Sequence, residues 1–152
     1  ALTLGQPLAL LMRRLATLPS GLWPDGAAFV TCDASGTLIF RRPSPAFPLP
    51  RFGAACALWP LYEALAQPFA PIRRLLETAG RGAGVRFTAT AWAERDYPQG
   101  YEGTAVTRAF MLVIPAASDA SGRGAAARIV GSSCRICAVQ DCAARREPSI
   151  LA

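Results

Sequence analysis

The 152-residue chain has no histidine, no lysine and no asparagine. Without histidine it lacks the usual general base, any Ser-His or Cys-His nucleophile pair, and any zinc site that needs an imidazole. Most familiar hydrolase chemistry is excluded on that ground. The carboxylates Glu94, Asp96 and Glu102 fall in a polar loop running from Glu94 to Gly103, where a solvated role is expected and no acid-base constellation forms. The chain therefore reads as a non-enzyme.

A long uninterrupted apolar run is also missing. The stretch Phe52 to Ile72 is broken by Pro60, Glu63, Gln67, Pro68 and Pro71, so it cannot satisfy its backbone in a bilayer as one helix. Arg13 and Arg14 sit in the middle of Leu2 to Leu18, which excludes a signal peptide or a membrane span there. No membrane association is expected. The chain reads as a soluble, cytoplasmic piece excised from a longer protein.

Charge is scarce, at 17% of residues, and all 16 basic residues are arginine, for a net charge of +6. Together with abundant alanine, glycine and proline, this bias suits a GC-rich genome as well as it suits a particular partner. The arginines occur as dispersed pairs, Arg13-Arg14, Arg41-Arg42, Arg73-Arg74 and Arg145-Arg146, rather than as a run interleaved with aromatics. They are expected to be solvated surface first, with phosphate contact as the sharper alternative.

Apolar residues, in contrast, make up 52% of the chain, enough for one domain with a core of its own. Leu8, Leu11, Met12, Leu15 and Leu18 recur at helical spacing from Leu4 onward until Pro19-Ser20-Gly21. Two β-rich runs, Ala27 to Cys32 and Thr37 to Arg41, flank the turn-prone Asp33-Ala34-Ser35-Gly36 and predict a hairpin. Four prolines between Pro43 and Pro50 predict an ordered surface loop. Residues Ala57 to Ala66 and Ile72 to Ala79 carry helical spacing and predict two short helices, ended by Gly80 to Gly84. Strands are expected at Val85 to Ala93, Ala105 to Ile114 and Ala126 to Val130, the last after a loop from Pro115 to Gly124.

Most of these connections are too short for parallel crossovers. The order suits an α+β fold: a five-stranded antiparallel sheet with helices on one side, on the plan of PAS-like and GAF-like sensor domains. Residues 1–130 would form this ligand-sensing domain. Residues 131–152 would form a cysteine-rich, metal-binding tail packed on it as part of one structural unit.

Three of the five cysteines, Cys134, Cys137 and Cys142, lie within nine residues. A C-x2-C step places two thiolates on one side of a turn, and the x4 spacer lets the chain curl and present a third. That spacing suits a metal centre better than a disulfide, and Arg135, Arg145 and Arg146 would stabilise the thiolates. A fourth ligand must come from Cys56 or Cys32. Cys56 is chosen because it follows a loop and precedes a helix, whereas Cys32 ends an apolar strand and reads as a small buried hydrophobe. The bland reading of the other four is a metal-free reduced or disulfide-paired set. Zinc and a 4Fe-4S cluster both accept four thiolates, and the departure from the paired C-x2-C knuckles of zinc ribbons leans toward iron-sulfur.

Cys134-Arg135-Ile136-Cys137, then Asp141-Cys142-Ala143-Ala144-Arg145, then Pro148, resembles the C-terminal signature C-R-x-C-x-x-x-D-C-x-x-R-x-x-P of the short-chain fatty acyl transcriptional regulators, which carry an XRE-type helix-turn-helix. A second block, Arg51-Phe52-Gly53-Ala54-Ala55-Cys56-Ala57-Leu58-Trp59, is similar to the same family's R-F-G-x-x-C-x-x-W segment. The two motifs span residues 47 to 148 with their flanks, about two-thirds of the chain. A proline usual near the end is replaced by Ser149, and the helix-turn-helix is not present in this chain.

The resemblance implies a non-enzymatic sensor domain that responds to a short-chain acyl-CoA, holds an iron-sulfur cluster on Cys56, Cys134, Cys137 and Cys142, and reaches DNA through an N-terminal helix-turn-helix. A homodimer is compatible with it. Arg51, Phe52 and Trp59 would contact the acyl-CoA, its phosphates on the arginine and its thioester tail in an apolar slot; ordinary helical core packing is the competing reading of Trp59 and Tyr62. Two rival functions remain at this point: an iron-sulfur redox sensor without an organic ligand, and a zinc-stapled interaction module.

Overall fold

A computed structural model describes residues 7–19, 26–79, 84–116 and 126–151 of the chain. Parts of three expected features lie outside these residues: the start of the first helix and its Ser20-Gly21 stop, Gly80 to Ala83, and most of the loop from Pro115 to Gly124.

The order is α1 (Leu8–Ala16), β1 (Ala28–Asp33), β2 (Leu38–Arg42), α2 (Pro60–Ala66), β3 (Ile72–Thr78), β4 (Arg86–Asp96), β5 (Val106–Pro115) and β6 (Arg128–Val130), followed by a 3-10 turn at Cys134–Ile136. The six strands form one mixed sheet in the order β2-β1-β5-β4-β3-β6. The fold is α+β, but the sheet departs from five antiparallel strands in two ways.

First, the expected helix over Ile72 to Ala79 is strand β3, which pairs antiparallel with β4 from Ile72↔Ala91 to Glu77↔Arg86. Ile-Arg-Arg-Leu-Leu-Glu-Thr fits either period, and the long neighbouring strand β4 offers a ladder that decides in favour of strand. Pairing buries Ile72 and Leu76 on one face. Arg74, on that same face, reaches the Glu63 carboxylate of α2. Second, β6 pairs parallel with β3, as Leu76↔Arg128, Glu77↔Ile129 and Thr78↔Val130. The chain makes the crossover such a pair requires through β4 and β5.

The β1-β2 hairpin forms as its turn residues dictate. The Asp33 carboxylate accepts from the Ser35 amide at 2.9 Å and the Thr37 amide at 3.1 Å. Gly36 closes the turn with φ +81°, a conformation that costs a side-chain-bearing residue about 1 kcal/mol.

Successive strand side chains point to opposite faces, so the sheet carries two apolar surfaces. On one, Ala28, Val30 and Cys32 of β1, Ala89, Ala91 and Ala93 of β4, and Ala109 and Met111 of β5 pack with Leu61 and Ala64 of α2. The alanines leave room for α2 to lie close. On the other, Phe29, Phe110 and Leu112 pack with Met12 and Ala16 of α1. The two helices thus cover opposite faces, not one side as expected. α1 is amphipathic, and only one strip of it is needed to cover Phe29 and Phe110. Glu94 and Asp96 end β4 rather than occupying a loop, and Asp96 lies 3.7 Å from Arg108 on the exposed surface. Among the described residues no helix is long and apolar enough to cross a membrane.

Candidate metal centre

The proline-rich loop delivers the chain to the sulfur site. Phe47, 2% exposed, anchors that loop against Trp59 and Phe87, with ring centroids 5.5 and 5.2 Å away. Its amide donates to the Ser44 carbonyl at 3.2 Å, which curls the prolines into an ordered turn. The chain then passes exposed Arg51, Phe52 and Gly53 and turns inward at Ala55 and Cys56. Pro60 at the first turn of α2 is already set to helical φ, so the helix begins immediately after Trp59.

Trp59 joins the two halves of the site. It is fully buried, and its indole N–H donates to the Gly131 carbonyl at 2.9 Å, across 72 residues of sequence. Beside it, the Cys56 amide donates to the Ser132 carbonyl at 3.0 Å. These two bonds hold the segment after β6 against the start of α2. Arg128 adds a third link, donating to the Leu58 carbonyl and to Glu63, each at 3.1 Å.

In consequence the tail turn faces Cys56. Cys56, Cys134, Cys137 and Cys142 line one cavity, together with Ala57, Leu58, Ser133 and Arg145. Cys56 and Cys137 are buried, and Cys134 and Cys142 are half-buried at the rim. The enclosed space is about 10 Å³. Among the described residues no three Cys, Asp or Glu side chains are gathered tightly enough to hold a single metal ion. All five cysteines are free thiols.

Burial pushes the Cys56 thiol above its ordinary pKa. The backbone groups of Leu58 and Gly131 pull it down, and the nearby Cys137 and Cys134 push it up. Cys134 Sγ accepts from the Arg146 amide at 3.4 Å. Arg145 lines the cysteine cavity and braces the tail, donating to the carbonyls of Cys134, at 3.3 Å, and Val139. Arg146 lies over the Tyr62 ring at 5.5 Å. The last residues fold back through Ile150, whose amide donates to the Arg135 carbonyl at 2.9 Å.

Cys32 stands apart. It is fully buried among Ala28, Val30 and Ala109, and burial lifts its pKa to about 12. The Ala109 backbone opposes that shift and Asp33 adds to it. Thiolate is the reactive form, and at pH 8 only about one Cys32 in ten thousand carries it. Native-state alkylation at pH 8 followed by peptide mass analysis is expected to leave Cys32 unmodified. Its labelling at a rate like that of a free thiol would contradict this placement.

The three residues expected to contact an organic ligand separate. Arg51 and Phe52, the latter 89% exposed, line a surface cleft with Gly53, Ser133, Arg135 and Ile136. Trp59 faces the core and spends its one donor on Gly131, so it is a structural anchor and lines no cleft with Arg51. Gly131, Arg145, Arg135 and Ile136 carry roles that motif reasoning did not assign.

A family model described as short-chain fatty acyl coenzyme A regulator, C-terminal, matches residues 26–152. The chain belongs to this family. A curated relative of the short-chain fatty acyl coenzyme A regulator domain is the propionyl-CoA carboxylase regulator of Cereibacter sphaeroides, 32% identical over 133 residues that cover 80% of this chain and 27% of the relative. A solved Mycobacterium tuberculosis transcriptional regulator superposes with a TM-score of 0.76 at 26% identity, over 96% of this chain and 46% of that one. The chain thus spans about a quarter of the curated relative and under half of the solved one. It is a C-terminal domain of a transcriptional regulator family tied to short-chain acyl-CoA.

Proposed function

We propose that the domain is a non-catalytic effector sensor that binds a short-chain acyl-CoA, carries a 4Fe-4S cluster on Cys56, Cys134, Cys137 and Cys142, and acts on DNA through an N-terminal helix-turn-helix in the full-length cytoplasmic regulator. The observation that carries the reading is the convergence of four cysteines, from segments about 80 residues apart, on one cavity.

The donor chemistry fits. Four cysteines with no histidine or carboxylate among the walls are a thiolate set suited to iron-sulfur or to zinc. A tetrahedral zinc ion would need its sulfurs roughly 3.8 Å apart, from bonds of about 2.3 Å. Among the described residues no group of three such side chains forms a ready single-ion site, so either centre would need the tail turn to move. Because the enclosed space is small, the half-buried turn with Cys134 and Cys142 must shift outward to admit one. When bound, such a centre supplies a covalent clamp between the middle of the chain and its tail.

The chain's own residues supply the rest of a switch. Trp59, Cys56 and Arg128 tie the tail to α2 through backbone carbonyls, so displacing the tail turn stresses the start of that helix. A ligand shifts a regulator only if it favours one such arrangement over another. Arg51 and Phe52 offer a cation and an apolar face beside that turn.

Anaerobically purified protein is expected to be brown and to contain iron and acid-labile sulfide at about four of each per chain. Cys56→Ser should lose most of that iron, while Cys32→Ala should retain it. A colourless protein with zinc and no iron would replace the cluster with a zinc staple. Equal iron in wild type and Cys56→Ser would remove Cys56 from the site.

A further inference from the structure

Arg13, Arg41, Arg42 and Arg146 come from three distant parts of the sequence and gather along one edge of the sheet. That edge is β2, which pairs with β1 and has no strand on its outer side among the described residues. Strand alternation sends its last two residues to opposite faces. Arg42 stands opposite Phe29, on the face that α1 covers, and Arg41 stands opposite Val30, on the face that α2 covers.

The rest of the fold adds a second cation to each face. α1 lays the Arg13 guanidinium over the Phe40 ring at 5.1 Å, and Phe40 shares its face with Arg42. On the other face the tail brings Arg146 over the Tyr62 ring at 5.5 Å. The Tyr62 hydroxyl donates to the Gly36 carbonyl at 3.4 Å, so this ring lies at the turn between β1 and β2. Burial raises the Tyr62 pKa, and the charges of Arg146 and Arg41 both oppose it, as cations near one phenol do.

All four arginines are exposed, and none takes part in an ion pair among the described residues, whereas Arg74, Arg86, Arg108 and Arg128 each do. α1 and β2 contain no acidic residue. The hairpin's own carboxylate, Asp33, is engaged by Ser35 and Thr37. Cations held together without counter-charges create a positive field that favours a polyanion.

The shape decides which polyanion. These cations flank a ridge one strand thick on both of its faces, so an acidic peptide laid along either face would meet one pair and miss the other. A groove of duplex DNA has phosphates on both walls, and the major groove, about 12 Å wide, admits a β-ribbon. Guanidinium forks match phosphate oxygens. The geometry points to a DNA-backbone contact made by this domain itself: the β2 edge enters a groove, with Arg13 and Arg42 on the phosphates of one wall and Arg41 and Arg146 on those of the other. The contact carries no sequence preference. It goes beyond the proposed function, because it needs neither the cysteine centre nor an acyl-CoA.

Fluorescence anisotropy of the purified chain with a labelled duplex of random sequence, between about 50 and 200 mM salt, tests the assignment. Wild type is expected to bind with a log-log salt slope of about −3.6, from four phosphate contacts at about −0.9 each. Arg13→Gln with Arg42→Gln, and separately Arg41→Gln with Arg146→Gln, should each bring the slope to about −1.8 and weaken binding about tenfold or more at the lower salt. Arg73→Gln with Arg95→Gln removes the same charge from β3 and β4 and should keep the wild-type slope. Single-stranded DNA of equal length, which has no groove, should bind about fivefold more weakly or worse. Poly-glutamate of matched charge should not displace the duplex. Far-UV circular dichroism verifies that the variants keep the fold. No binding of duplex by wild type at the lower salt would overturn the contact. An equal loss in the β3 and β4 variant would reduce it to diffuse net charge. Equal affinity for the single strand would remove the groove, and displacement by poly-glutamate would make the ridge a site for acidic protein instead.

Discussion

Trp59→Ala is expected to lower the unfolding free energy by about 3 to 5 kcal/mol, as large aromatic truncations in a core do. Trp59 is fully buried, packs at a tilt against Phe47 with ring centroids 5.5 Å apart, and supplies the donor for Gly131. Its removal opens a cavity beneath the proline-rich loop and at once leaves a half-buried carbonyl unpaired. For a domain of this size that corresponds to a fall in Tm of about 10 °C. Trp59→Phe separates the two effects. It keeps most of the ring volume but lacks the N–H, so it should cost about 1 to 3 kcal/mol, the penalty of the orphaned Gly131 carbonyl. Chemical denaturation of the three proteins gives both differences. If Trp59→Phe were as stable as wild type, the indole hydrogen bond would not be what fastens the tail. A loss equal to that of Trp59→Ala would give the whole effect to that bond and none to packing.

Much of the fold was written locally and could be read from the sequence. The Asp33 carboxylate, the small residues after it and Gly36 specify a hairpin wherever it occurs, and β1 and β2 stand close to where the apolar runs predicted them. α1 and α2 likewise occupy parts of the stretches with helical spacing. What failed depended on distant partners. Ile72 to Thr78 is a strand only because β4 lies beside it. The three residues of β6 gain their parallel register from β3, about fifty residues earlier. The sides taken by α1 and α2 follow from the strand order, which no local pattern encodes.

The candidate site divides in the same way. The four cysteines could be chosen by elimination and spacing, since histidine is missing and Cys32 ends an apolar run. Arg51, Phe52 and Trp59 looked alike within one motif, yet the chain turns inward between Gly53 and Cys56 and sends Trp59 to the opposite side of the surface from Phe52. Arg145 stood out as a cation near thiols, but its donors go to the carbonyls of Cys134 and Val139. A carbonyl acceptor leaves no trace in composition or spacing, so this bracing role became visible only in three dimensions.

Gly131 is the least conspicuous of these positions and the one where a single methyl group is expected to disturb the sulfur site most selectively. A Cβ there would lie 2.9 Å from Cys137 Sγ and 3.1 Å from Cys137 Cβ. Real Cβ atoms do not approach so closely, and the obstacle is a short, buried side chain with no flexible end to swing aside. Gly131→Ala must therefore displace the Cys137 side chain or its turn, at a cost of about 1 to 3 kcal/mol for overpacking. The strand ladders lie outside that turn, so the unfolding transition should stay cooperative while the iron held at the proposed centre falls by about half or more. Gly53→Ala is the control. Its φ of +74° imposes a backbone cost of about 1 kcal/mol, but nothing lies within 4 Å of the added carbon. It should match wild type in the iron expected at the proposed centre. Metal analysis and denaturation of both variants decide the matter. Full metal in Gly131→Ala would show that Cys137 is free to move without consequence, and the packing of the tail against Gly131 would then have no bearing on the site.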